Sequence, residues 1–201
     1  MEAVSGKAHV HHVEELHRGR VFRLSRERVT LPNGHTTDLE VVRHPGAAAV
    51  VPMLDEKRVV LIRQYRHAVG GVIWEIPAGT LSPGETPLAC AGREIQEETG
   101  FVAGVFDALG VLVPVPGYSD ERIHLFLATD LRQASRHLDQ DEVLDVAVLP
   151  MTQALEMIRT GEIVDAKSIV GLLKAEARIR KGDPDAPGRL VKGEGAGRGG
   201  T

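Results

Sequence analysis

The chain has 201 residues, 42% hydrophobic and 26% charged, which suits a soluble globular protein with one catalytic domain and an appended segment. Its 28 acidic and 24 basic residues leave a net charge of −4, which excludes the basic footprint of a nucleic-acid binder and obliges a site for an anion to gather local Arg or metal. The single cysteine, Cys90, excludes an intrachain disulfide and a zinc finger, and no run approaches the roughly 18 apolar residues of a membrane span. With no signal-peptide-like apolar core near Met1, the sequence reads as that of a reduced, cytoplasmic protein without membrane or nucleic-acid partners.

Residues 1–45 read as an N-terminal β-rich module. Strand signals at Val21–Leu24 and Val29–Leu31 lead into a Pro32-Asn33-Gly34 turn and a strand from Thr36 to Val42. Upstream, His9, His11, His12 and His17 follow no compact metal-ligand spacing and read as a solvated terminus rather than a zinc site. Ala47–Leu54, the Asp55-Glu56-Lys57 turn and Val59–Gln64 predict a central hairpin. Arg63-Gln64-Tyr65-Arg66 and Trp74-Glu75-Ile76-Pro77-Ala78-Gly79 follow, with Trp74 expected in the core.

Next comes GTLSPGETPLACAGREIQEETGF, residues 79–101. Ser82-Pro83-Gly84 makes a turn, Thr86 caps a helix that Pro87 begins, and Gly100 suits a left-handed C-terminal cap. Glu94, Glu97 and Glu98, spaced i, i+3, i+4, line one face of that helix. Like charges four apart cost about 0.2–0.5 kcal/mol per pair, and acids in a last turn oppose the macrodipole by roughly 0.3–1 kcal/mol. Arg93 offsets part of this by pairing with Glu97. A divalent cation on that face would account for the rest, since clustered carboxylates suit Mg²⁺ or Mn²⁺; a solvated acidic face is the alternative for the helix taken alone. Cys90, inside the helix, reads as a buried, inert thiol.

Beyond it, Val105–Val113 and Ile123–Ala128 read as paired strands flanking the loop Pro114-Val115-Pro116-Gly117-Tyr118-Ser119-Asp120-Glu121. Leu138-Asp139-Gln140-Asp141-Glu142-Val143 is a second acidic cluster ahead of a strand at Leu144–Leu149. Thr152–Thr160 and Ala166–Arg180 are amphipathic helices, and 181–201 is a Gly- and Pro-rich tail read as disordered.

Gly79, Glu85 and Arg93–Phe101 resemble the Nudix box at every defined position. The resemblance implies a Nudix α/β/α sandwich with a mixed sheet over residues 46–180, completed by the N-terminal module. It implies Glu94, Glu97, Glu98 and the carbonyl of Ala78 as metal ligands, with Arg93 orienting a box glutamate and Glu85 in support. RQYR, WEIPAG and the PGYSDE-like loop resemble ADP-ribose pyrophosphatases of that family. That likeness points to Arg66, Glu75, Pro116, Ser119 and Asp120 as substrate residues, joined by Glu40 and Arg43 from the N-terminal module. The likeness also implies a glutamate from the 138–143 cluster that binds metal or deprotonates the attacking water, Glu142 first with Asp141 in reserve. The implied reaction is Mg²⁺- or Mn²⁺-dependent hydrolysis of the diphosphate of ADP-ribose to AMP and ribose 5-phosphate, in a domain-swapped homodimer. Another nucleoside diphosphate sugar (GDP-mannose or an ADP-sugar) and a non-catalytic ADP-ribose sensor are the alternatives, and the acidic balance disfavours RNA decapping.

Overall fold

The computed structural model describes residues 6–138, 143–181 and 189–191. These divide into two compact units, one built from residues 6–46 and 113–122 and the other from 47–112 onward, resuming at 123.

The first unit is an antiparallel sheet of three strands, β1 (His9–Arg18), β2 (Arg23–Thr30) and β3 (Thr36–Arg43), in that order. Gly34, with φ of 83°, sits in the predicted turn, and the Asn33 side chain accepts from the His35 N–H, so β2 and β3 form the expected hairpin. The histidine tract is not a loose terminus: it forms β1, paired along β2 and exposed at all ten positions. β2 alternates, and its buried positions are Ser25, Glu27 and Val29. The 113–122 loop adds to β3, where the Val42 N–H donates to Tyr118 O at 2.7 Å and the Asp120 N–H to Val42 O at 3.2 Å.

The second unit is organised around β4 (Ala47–Pro52), buried at all six positions. In chain order it continues with β5 (Arg58–Arg66), β6 (Gly71–Glu75), β7 (Ala78–Thr80), α1 (Pro87–Thr99), β8 (Phe101–Leu112), β9 (Ile123–Gln133), β10 (Leu144–Pro150), α2 (Met151–Thr160), α3 (Ala166–Lys181) and β11 (Arg189–Val191). One mixed sheet runs β11-β8-β9-β4-β7, with β4 parallel to β9 and antiparallel to β7; a second, antiparallel sheet runs β10-β5-β6. The hairpin expected of β4 and β5 is therefore only a turn. The chain closes it through a Met53–Val59 bridge, and the two strands then enter different sheets. In place of a wholly disordered tail, β11 pairs with β8.

Successive β4 side chains feed opposite cores, as the strand's period of two requires. Ala47, Ala49 and Val51 pack with Leu61, Ile76, Leu125, Met157 and Leu172 on the side of α2 and α3. Ala48 and Val50 pack with Cys90, Ala91, Ile95, Phe106 and Phe126 on the side of α1. The result is a mixed sheet covered by helices on both faces, the expected α/β/α layering.

Candidate active site

α1 forms where the sequence places it because both ends are capped. The Thr86 hydroxyl accepts from the Ala89 N–H at 3.2 Å, Pro87 opens the helix, and Gly100, with φ of 75°, donates its N–H to Gln96 O. The helix packs on β4, β7 and β8, which turns its Glu94 and Glu98 inward: they are 6% and 1% exposed. Glu98 accepts from the Ala78 N–H at 2.9 Å, tying the helix to β7. Next to it, Glu94 lies so close to the backbone of Gly79 that a Cβ there would fall 1.7 Å from its Oε1. Only glycine leaves that carboxylate its place.

Arg93 sits amid the acids. Its Nε and Nη2 grip the two oxygens of Glu85 at 2.9 and 3.0 Å, and its Nη1 reaches Glu94 at 2.6 Å and Glu97 at 2.9 Å. The fork geometry of a guanidinium is what allows one side chain to hold three carboxylates. Arg93 holds the Glu85 carboxyl down to about 2, with the Ser82 N–H helping and burial opposing. The same contacts raise the pKa of Arg93 itself. Cys90 borders this cluster, its thiol pushed up to about 12 by burial and by the negative charge of Glu94 and Glu85, so it stays an inert core thiol as expected.

A divalent cation suits this donor set. The oxygens would come from three carboxylates on one helix and from the Ala78 carbonyl, one atom group away from the N–H that Glu98 accepts, all hard ligands, and the space a side chain at Gly79 would take is the one the Glu94 carboxylate fills. Among the described residues no three His, Cys, Asp or Glu side chains are arranged around a metal-sized position; the box carboxylates turn to Arg93 and the Ala78 N–H.

A second cluster joins β5, β6 and α3. Glu75, 4% exposed, accepts on Oε2 from Arg66 Nε at 2.9 Å, with Arg66 Nη2 in ion-pair contact at 2.7 Å, and on Oε1 from Lys167 Nζ at 2.7 Å. Lys167 also meets Asp165 at 2.9 Å. The Asp165 carboxylate caps α3 by accepting from the Ser168 N–H at 3.0 Å, and the Ser168 hydroxyl accepts from the Ile76 N–H at 2.8 Å. The family likeness named Arg66 and Glu75, each as a substrate residue, and neither their pairing nor Lys167, Asp165 and Ser168 was expected from the sequence. Trp74 packs against the larger core, with the Arg63 guanidinium 5.3 Å from its ring centroid, so it is not an open stacking platform.

The remaining candidates lie in the first unit. Arg43 donates to Glu27 at 2.6 Å and to Asp120 at 3.1 Å, and the other oxygen of Asp120 accepts from the His44 N–H. Burial works against the Asp120 carboxylate, yet that amide and Arg43 hold its pKa below the ordinary value. Ser119 bridges to Val42 and accepts from the Glu121 N–H on its hydroxyl, and Pro116 lies in the same loop. A cavity of about 270 Å³ lined by Arg23, Ser25, Glu27 and Arg43 belongs to this unit. Glu40 pairs instead with Arg26 in the open. Glu142 and Asp141 lie outside the described residues.

An α/β/α sandwich whose carboxylate-bearing helix is buttressed by a glycine-opened strand defines a class, and comparison with known proteins names it. The model of the NUDIX domain matches residues 43–170. A protein of Bacillus methanolicus called methanol dehydrogenase activator is 40% identical over 161 residues, 79% of this chain and 87% of its own. The ADP-ribose pyrophosphatase of Bacillus subtilis (strain 168) is 39% identical over 157 residues, 77% of this chain and 85% of its own. A crystal structure described as an ADP compounds hydrolase superposes with a TM-score of 0.78 over 90% of this chain and 98% of that one, at 23% identity, and so shares the fold. The chain belongs to the Nudix family of hydrolases.

Proposed function

We propose that the protein hydrolyses the diphosphate of ADP-ribose to AMP and ribose 5-phosphate. The observation that carries the reading is the box geometry: Glu98 fixed on the Ala78 N–H, Glu94 seated against Gly79, and Arg93 spanning Glu85, Glu94 and Glu97. The substrate choice is supported by the name of the Bacillus subtilis relative and by the PGYSDE-like loop.

Glu94, Glu97, Glu98 and the Ala78 carbonyl would hold the divalent cation, Mg²⁺ in the first instance or Mn²⁺. That cation, when bound, supplies charge neutralisation for the diphosphate and acidifies the attacking water. Arg93 sets the orientation of the box carboxylates. Arg66, anchored by Glu75, presents its guanidinium to the diphosphate, where a fixed positive charge stabilises negative charge that builds during P–O cleavage. Glu142 takes the proton from the attacking water. Glu40, Arg43, Pro116, Ser119 and Asp120 contribute to recognition of the nucleotide from the first unit. The working molecule is a homodimer that exchanges its N-terminal module, supported by the exposed Val10, Val13, Leu16, Val21, Phe22 and Leu39 of that unit.

The test is a substrate panel with Mg²⁺ holding ADP-ribose, GDP-mannose, ADP-glucose, NADH and a dinucleoside polyphosphate, with nucleotide release followed by chromatography. ADP-ribose is expected to lead in kcat/KM and to yield AMP. Preference for another compound would overturn the substrate assignment, and binding of ADP-ribose without cleavage would replace the enzyme by a sensor.

A further inference from the structure

We propose that Lys167 is a positioning residue, acting through Glu75 to hold Arg66 for the substrate's diphosphate. The inference rests on the reading that Arg66 meets that diphosphate.

Glu75 is nearly buried, and its two oxygens serve different partners. Oε2 accepts from Arg66 Nε and lies in ion-pair contact with its Nη2, while Oε1 takes the ammonium of Lys167 at 2.7 Å. Arg66 is thereby held along one edge of its guanidinium. Its Nη1 has no hydrogen-bond partner among the described residues, and the side chain is 39% exposed. One edge is anchored and the other remains available, as an arginine needs in order to bind an anion from a fixed angle.

Lys167 makes the anchor rigid. Its side chain is only 11% exposed and lies between Glu75 and Asp165, so the charges alternate as Arg66, Glu75, Lys167, Asp165. Asp165 is itself fixed as the cap of α3, and Ser168 on the first turn accepts from the Ile76 N–H, one residue past Glu75. The start of α3 therefore grips both the side chain of Glu75 and the backbone beside it. Without Lys167, the buried Oε1 of Glu75 loses its cationic partner, and Arg66 is the one cation left in contact with that carboxylate among the described residues. Arg66 would then be drawn across the carboxylate, away from its outward angle.

The experiment is a double-mutant cycle between Lys167→Met and Arg66→Ala on the full chain. It reads kcat, KM, thermal melting and the calorimetric affinity for ADP-ribose measured without divalent metal. Lys167→Met is expected to lower kcat/KM about tenfold, the worth of one charge-assisted hydrogen bond, chiefly through KM and with a matching loss of affinity. In the Arg66→Ala background that effect is expected to shrink to less than about twofold, because nothing remains to be positioned. Lys167→Arg, which keeps the charge, is expected to recover activity to within about threefold of wild type. Equal losses in both backgrounds would mean that Lys167 acts only on the fold, and would overturn the proposal. If Arg66→Ala alone leaves kcat/KM and affinity unchanged, the substrate-contact reading of Arg66 fails first and takes the proposal with it. Should Lys167→Met fail to fold, the same cycle with Lys167→Gln gives the same comparison.

Discussion

At the scale of single residues, Gly79 and Glu85 show how the box is held. A methyl group at position 79 would strike the tip of the Glu94 side chain, which can swing aside, rather than backbone, which cannot. Gly79→Ala is therefore expected to fold, with a stability change below about 1 kcal/mol, while losing on the order of a hundredfold in kcat because Glu94 is displaced by more than an ångström. Melting curves and steady-state kinetics check the two halves separately. Glu85 has its pKa lowered from 4.5 to about 2, so its pairing with Arg93 stabilises the fold above pH 4.5 and that contribution fades as the pH falls toward 2. Glu85→Gln is expected to lower stability by about 1–3 kcal/mol at pH 7 and by progressively less below pH 4.5, measured by urea unfolding across that range. The sequence singled out these residues through the box resemblance, and the partners found for them lie within one loop and one helix. Lys167 was not: its carboxylate partner, Glu75, is 92 residues away, and no local pattern announces a contact that folding alone creates.

At the scale of elements, the sequence located α1 well because its signals are local, a cap at Thr86, Pro87 at the first turn and Gly100 at the end. Thr86→Ala removes the side chain that accepts from the Ala89 N–H and should cost about 1 kcal/mol in chemical denaturation, with little change in KM. The same reasoning misjudged β4 and β5. Two apolar runs joined by Asp55-Glu56-Lys57 read as a hairpin, and the turn is indeed there. What the run Ala47–Pro52 also signalled, being apolar at every position, is a strand buried on both faces and paired in parallel with a distant one, here β9. Partner choice in a sheet depends on contacts far along the chain, which composition does not reveal. β1 was missed for the complementary reason: exposed at every position and rich in His, Glu and Arg, it has no buried face to imprint a period of two.

At the scale of the molecule, the class of the fold was legible through the box and the alternation of strands and helices, and a separate N-terminal module was expected, whereas the grouping of residues 113–122 with it emerged only from the contacts. The exposed apolar side chains of the first unit bear on assembly. Light scattering coupled to gel filtration should give about twice the chain mass of 21.7 kDa, and Phe22→Asp combined with Leu16→Asp should shift the protein toward the single-chain value. A wild-type protein that elutes as a single chain at micromolar concentration would remove the exchanged-module dimer.

Everything proposed for the chemistry passes through the acidic face of α1, so the most direct measurement compares wild type with Glu98→Gln on ADP-ribose and Mg²⁺, following AMP release. The glutamine keeps an oxygen for the Ala78 N–H, so the helix stays docked while one negative charge is lost. A fall in kcat of at least about a hundredfold, with an unchanged melting temperature, is the predicted result. A Glu98→Gln protein that releases AMP at nearly the wild-type rate would show that the box carboxylates are not the site of the reaction.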